Sequence, residues 1–326
     1  MSSDESKAEE PHVLGRSRRE GAEPSSTLPL ESCLTKAADA PYDTLVLSGG
    51  AAKGLIILGA LQYFTDSGMI SDITTYVGSS VGAIICYLLA IGYTPVEIMV
   101  YVCTHRLIER MQHFDIVAVT NGMGAMSFTP IQETLEKMTL DKVGEFLTLE
   151  QLRSRFGKTL VCSTYNMTTQ KTEYVGPDTY SDLPCLIALR MSANVPLLFD
   201  RFRYRGSSYV DGGISDNFPI LTGAKMGERV LGIRLTKELP EGKMAPEPTG
   251  VLDYVFKILL VPIRQAVEHR CSLAPPSCTI VALPDEDATM FNFNIKSRVK
   301  LEMFSDGYGF ARAFDSGETE DIDRSG

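Results

Sequence analysis

The stretch "TYVGSSVGAIICYLL" (75–89) changes period in its middle. An apolar strand pattern ends near Gly78, an apolar helical pattern begins at Val81, and Ser80 stands at the corner. Gly78 and Gly82 frame that serine as G-x-S-x-G. Glycines at these places remove side chains that would clash in a tight strand-to-helix turn, and the middle serine then projects at a helix N-terminus. Two readings stay open on this stretch alone. The turn holds a hydroxyl out for attack on a carbonyl, or it is a glycine-rich turn in which Ser79 or Ser80 caps the helix.

Upstream, "YDTLVLSGG" (42–50) is an apolar strand running into glycines, and "GLIILGALQYFTDSG" (54–68) has helical spacing that closes at Gly68. Strand, helix, strand, helix in short order predicts a mostly parallel sheet with helices on its faces. Residues 94–157 read as mainly helical. Within them "TPVEIMVYVCTHRLIERM" starts on Thr-Pro, a favoured helix opening, and "SFTPIQETLEKM" carries Pro130 near its first turn. "KTLVCSTYNMTT", "KTEYVGP", "RVLGIRL" and "CTIVALP" read as strands, "LIALRMSANVP" as a helix, and "RYRGSSYVDGGISDNFP" as a strand pair followed by a loop. Residues 1–41, rich in Ser, Glu, Arg and Pro, read as a disordered or loosely attached tail, and residues 315–326 as a solvated acidic end.

The bulk numbers bound the function. The chain has 326 residues, 44% of them hydrophobic, enough for a large core in one big domain or two smaller ones. A formal net charge of -10 points away from nucleic acid, whose phosphates need clustered Lys and Arg. It leaves a membrane surface open as a partner. The apolar runs "AIICYLLAIGY" and "VFKILLVPI" are shorter than the roughly 20 residues that span a bilayer. No charged start leads into an apolar run, so the expectation is a cytoplasmic chain, peripheral at membranes or lipid droplets if it contacts them. The 7 cysteines, odd in number and without a C-x-x-C pair, fit reduced and mostly buried thiols.

Two further stretches bear on chemistry. Gly49-Gly50-Ala51-Ala52-Lys53-Gly54 follows the first strand. Small residues there let backbone N–H groups approach a ligand, as an anion-binding loop or as an oxyanion hole; a close-packed turn with Lys53 in solvent is the plain alternative. Asp211-Gly212-Gly213 is, taken singly, a turn. A reactive serine needs a base, however, and the four histidines are badly placed: His12 in the tail, His105 and His113 in a helical region, His269 late in an amphipathic helix. A pair without histidine fits better. Asp200 and Asp216 are rival bases more simply read as turn or capping residues.

Taken in order, "SGGAAKG" (48–54), "GSSVGA" (78–83), "LRMSANVPLLF" (189–199) and "YVDGGISDNFP" (209–219) resemble the patatin-like phospholipases. The resemblance covers residues 44–224. It implies a three-layer α/β/α fold with a mostly parallel central sheet and a serine lipid acyl hydrolase working through a Ser–Asp dyad. It makes Ser80 the nucleophile and Asp211 the proton acceptor. Gly49, Gly50, Ala51, Lys53 and Gly54 become the oxyanion loop, with Lys53 at its basic position. Gly78 and Gly82 belong to the elbow, and Gly212, Gly213, Asn217 and Pro219 to the aspartate segment. Ala51 stands where the family commonly has glycine, so a positive φ there would strain the loop.

The implied substrate is a phospholipid or neutral lipid, with no cofactor and no metal. An acyltransferase at the same site and a non-catalytic lipid-binding scaffold are the alternatives. Residues 225–314 are expected to form an extension packed on or beside the domain. Within it, 251–270 covers the sheet or lies on a membrane. "NGMGAMSF" (121–128) lines an acyl groove or lid, or is ordinary core.

Overall fold

The computed structural model describes residues 41–111, 124–236, 247–248, 250–284 and 295–318. Its centre is a parallel run of strands. β1 (Thr44–Leu47) pairs with β2 (Thr75–Ser79) on one side and β7 (Val230–Thr236) on the other; β2 pairs with β3 (Thr159–Asn166), and β7 with β8 (Cys278–Pro284). Antiparallel pieces finish the β3 side: β4 (Lys171–Val175), and the hairpin of β5 (Phe202–Tyr204) and β6 (Ser207–Asp211).

Alternation along the strands gives two buried faces. Leu45, Leu47, Tyr76, Leu160, Leu231 and Ile233 point into the larger core. That core also takes residues of α1 (Gly54–Asp66), α2 (Val81–Ala90), α3 (Pro95–Thr104) and α4 (Leu107–Arg110). α5 (Thr129–Val143), α6 (Leu149–Phe156) and α7 (Cys185–Ser192) contribute to it as well. Val46, Val77, Val161 and Val230 point the other way, against Phe218, Ile220 and Val267. Phe218 lies between the short helices α8 (Gly213–Asp216) and α9 (Ile220–Gly223), Ile220 opens α9, and Val267 belongs to α10 (Val251–Ser272). The result is the three-layer α/β/α architecture expected. Capping boxes at Thr94/Glu97 and Thr148/Gln151 start α3 and α6, and Gly144 and Gly157 in left-handed conformation end α5 and α6.

Two expectations are corrected at the C-terminal end. Residues 225–314 do not sit beside a finished domain, because β7 occupies the sheet position next to β1 and β8 follows it. A second departure is α11 (Ser297–Ser316), for which the sequence reading had no helix. It crosses α1 with the backbones nearly touching. A Cβ on Gly59 would lie 1.9 Å from the Phe304 carbonyl, and one on Gly307 1.9 Å from that of Ile56. The acidic end therefore begins later than residue 315: Asp315 is helical and accepts a hydrogen bond from Tyr63 at 2.7 Å. Among the described residues no single helix is long and apolar enough to cross a membrane.

Candidate active site

The C-terminal ends of the parallel strands bring the signalled residues to one edge of the sheet, where ligands of open α/β sheets gather. β2 ends at Ser79, and Ser80 turns the chain into α2 with φ 54° and ψ −126°, a conformation an L-residue avoids without a reason. The framing glycines are required by close approach. A Cβ on Gly78 would lie 2.5 Å from the Ala83 nitrogen, and one on Gly82 2.5 Å from the Ser48 carbonyl. Ser80 does not cap the helix with its side chain. Its N–H is instead held by the Ser192 hydroxyl at 3.0 Å.

Asp211 arrives from the other end of the sequence. β6 runs antiparallel to the far half of β3, with Asp211 opposite Thr164, and so delivers the carboxylate to the same edge. The Asp211 N–H donates to the Asn194 carbonyl at 2.9 Å, and Oδ1 accepts the Gly213 N–H at 2.7 Å. Oδ2 is buried and accepts no hydrogen bond among the described residues, and the Ser80 hydroxyl lies close enough to the carboxyl to favour its anion. Burial raises the Asp211 pKa from 3.8 to about 6; the Ser80 hydroxyl and the Gly213 amide, both friendly to the anion, hold it from rising further.

The glycine loop after β1 lies alongside. A Cβ built on Gly49 would stand 3.1 Å from that of Ser80. Three amides of the loop are engaged within the protein. Gly49 N–H donates to the Asn217 carbonyl, Lys53 N–H to Gly50, and Gly54 N–H back to Ala51 and Ala52, because the chain enters a 3-10 turn at once. Among the described residues the amides of Gly50 and Ala51 have no acceptor, and both residues line the chamber that holds Ser80 and Asp211. Ala51 has φ 48°, so the methyl group does sit in the left-handed region. Lys53 is buried rather than solvated.

Other candidates separate from the site. Asp200 accepts the Gly124 amide at 2.9 Å. Asp216 receives the Tyr174 hydroxyl at 2.6 Å and faces Arg270 at 3.5 Å, a buried ionic cluster rather than the turn expected. His105 stacks on Tyr101 at the end of α3, and His269 is exposed on α10. Neither lines the chamber. His12 and His113 lie outside the described residues, as do 121–123 of "NGMGAMSF"; Met126 and Phe128 of that stretch are buried in a small cluster with Leu198 and Phe199. Among the described residues no group of His, Cys, Asp and Glu is arranged to hold a metal.

Two spaces share Ser80 and Ala51 in their walls. The smaller, about 70 Å³, includes Asp211 and Asn217 and is roofed by Phe256, Leu259, Leu260 and Ile263 of α10. The larger, about 140 Å³, runs between α1, α2, α3 and α5 past Leu58, Ile85, Leu88 and Met138 and is walled almost wholly by apolar side chains. Residues missed by the sequence reading are Ser192, Asn194 and Arg190. Arg190 bonds the Asn194 side chain at 2.5 Å and lies 4.1 Å over the Phe128 ring, bracing the segment that holds both Ser80 and Asp211. All three lie in the quoted stretch 189–199, but nothing local assigns them these roles, since Ser192 and Asn194 act on Ser80, Asp211 and Gly212, which are distant in sequence.

Comparison with known proteins bears on the fold and the family. The chain is 35% identical over 182 residues to "Probable lipid hydrolase 463L" of Invertebrate iridescent virus 6, a match covering 55% of this chain and 62% of the viral protein, less than two thirds of its length. It is 25% identical over 283 residues to the uncharacterized protein R571 of Acanthamoeba polyphaga mimivirus, covering 83% of this chain and 93% of that one. Among solved structures, VipD from Legionella pneumophila superposes with a TM-score of 0.51 at 19% identity, over 84% of this chain and 67% of its own, a likeness of fold. Residues 45–223 match the family described as Patatin-like phospholipase, and on that match this chain belongs to the patatin-like phospholipase family.

Proposed function

We propose that the protein is a lipid acyl hydrolase in which Ser80 is the nucleophile and Asp211 its proton acceptor. The observation that carries this reading is a single junction: a serine on a strained elbow, beside a buried carboxylate, at the mouth of an apolar cavity. An acyl chain enters the larger cavity and places its ester carbonyl at Ser80. Asp211 takes the hydroxyl proton as Oγ attacks, and the negative charge on the carbonyl oxygen is met by the amides of Gly50 and Ala51 and by the start of α2. The tetrahedral intermediate breaks its bond to the alcohol, which leaves with the proton from Asp211, and an acyl-serine remains. Water then gives its proton to Asp211 and its oxygen to the acyl carbon, and the fatty acid departs as Ser80 recovers its hydrogen. A carboxylate with a pKa near 6 is ionised at neutral pH and a stronger base than an exposed one.

The experiment is hydrolysis of a panel of phospholipids and neutral lipids by the wild type, Ser80→Ala and Asp211→Asn, with fluorophosphonate labelling of each. Turnover and labelling by the wild type, and loss of both in Ser80→Ala, are expected. A folded wild type that neither labels nor turns over would leave a lipid-binding scaffold as the reading.

A further inference from the structure

Helix α10 divides at Pro262. Beyond it the helix is anchored: Val267 is buried against the second face of the sheet, Arg234 grips Glu268 through hydrogen bonds of 2.7 and 3.1 Å, and Arg270 reaches the Ser215 carbonyl at 2.8 Å. Before it the helix rests lightly. None of the described side chains in 251–261 is fully buried. The proline has no N–H to donate, and its ring crowds the carbonyl of Ile258, so the hydrogen-bond ladder is interrupted between the two halves.

The N-terminal half has two apolar sides. Phe256, Leu259 and Leu260 roof the chamber over Ser80 and Asp211, with Ile263 just beyond the proline. On the outside, Val251, Tyr254, Ile258 and Val261 are 75%, 56%, 51% and 54% exposed. Their spacing of three, four and three residues is that of one helical face. Two more exposed apolar residues come from other segments at the same chamber: Ile214 from α8, which lines it, and Leu197, next to the lining residue Pro196. Scattered exposed apolar residues need no explanation, but a set drawn from three segments around one opening does. The charges of this half offer nothing to a charged partner, because Asp253 and Lys257 pair with each other at 3.2 Å.

We propose that the outer face of α10, with Leu197 and Ile214, is the surface by which the protein settles on an uncharged or zwitterionic lipid aggregate, and that the N-terminal half of α10 swings about Pro262 as it does so, opening the chamber to the lipid. This rests on the reading of the site as a lipid ester hydrolase. The opening and the docking face belong to one short helix, so the surface that receives the helix is the one that supplies the acyl chain. Swinging the roof away also exposes Phe256, Leu259 and Leu260, which a lipid surface accepts and water does not.

The test uses the full chain with phosphatidylcholine vesicles and, separately, a water-soluble butyrate ester. The variant Tyr254→Gln/Ile258→Gln/Val261→Gln changes only the outer face. It is expected to bind vesicles at least about tenfold more weakly and to hydrolyse vesicle lipid correspondingly slower, while hydrolysing the soluble ester within about twofold of the wild type. Pro262→Ala, which restores the helical ladder, is expected to bind vesicles normally and to turn over their lipid several-fold more slowly. Wild-type protein that ignores vesicles, or a triple variant that binds them unchanged, overturns the docking proposal. So does a wild-type dimer that the triple variant dissociates, since the occupant is then a second copy. Pro262→Ala that works as fast as wild type on vesicles overturns the swing. Absence of soluble-ester hydrolysis by the wild type, matched by Ser80→Ala, would count against the hydrolase reading instead.

Discussion

Asp211 sets the pH response at the scale of the residue. Its carboxyl is protonated more readily in the folded protein than in the unfolded chain, with a folded pKa of about 6 against 3.8. With Asp211 as the proposed proton acceptor, kcat/KM is expected to rise with pH through a limb near 6 and to level off above it, as read from a pH–rate profile on a soluble ester. Stability runs the opposite way. The folded state holds the proton more tightly, so the contribution is fully present below 3.8 and is lost as pH rises through 6. At neutral pH the buried anion then costs up to about 3 kcal/mol, roughly two pKa steps. Asp211→Asn is therefore expected to be inactive yet to melt higher than the wild type at pH 7.5, with the gain disappearing near pH 4; a lower melting temperature at pH 7.5 would refute the burial cost. Ser80 was legible because strand, glycines and helix surround it in one short stretch. Asp211 was not distinguishable locally from a turn aspartate, and only its company with three other stretches singled it out. Lys53 was read as either solvated or part of the oxyanion loop, since a lysine beside glycines says nothing of the side chains that close over it.

At the scale of the element, the end of α7 and the residues just after it hold the site together. Ser192 takes the Ser80 amide, and the carbonyls of Ser192 and Asn194 take the amides of Gly212 and Asp211. Ser192→Ala leaves the Ser80 N–H buried without an acceptor, a loss of about 1–3 kcal/mol. We expect a lower denaturant midpoint, together with a fall in kcat larger than any change in KM, because the elbow loses its tie while the acyl cavity is untouched. An equal loss in kcat and in binding would point to general loosening. The strands and most helices were legible from period and caps. α11 was passed over because its apolar positions, Met303, Phe304, Gly307 and Ala311, include glycine and alanine. Those small residues look like a weak helix until α1 is seen lying against them.

For the whole molecule, the sheet decides what counts as a unit. The resemblance and the family match both end near residue 224, and the sequence carries a Pro- and Gly-rich stretch soon afterwards, so a boundary there was a natural reading. Long-range pairing overrides it. β7 adjoins β1, the strand that carries the glycine loop, and Leu235 donates its amide to the Ser48 hydroxyl. A chain cut after residue 224 strips β1 of a partner and exposes Val46 and Leu47, and it is expected to be insoluble or molten by near-UV circular dichroism. A soluble, cooperatively melting fragment would restore the earlier boundary.

Strand β3 keeps parallel company with β2 along its first half and antiparallel company with β6 along its second. The early strands can assemble with the hydroxyl already on its corner, but the acid reaches it only when the late hairpin joins that far half. A nascent or half-folded molecule therefore carries a blunt tool. On the proposed chemistry, proteolytic loss of the β5–β6 hairpin is expected to leave the serine on its corner without a base, and to silence ester turnover while the parallel strands persist.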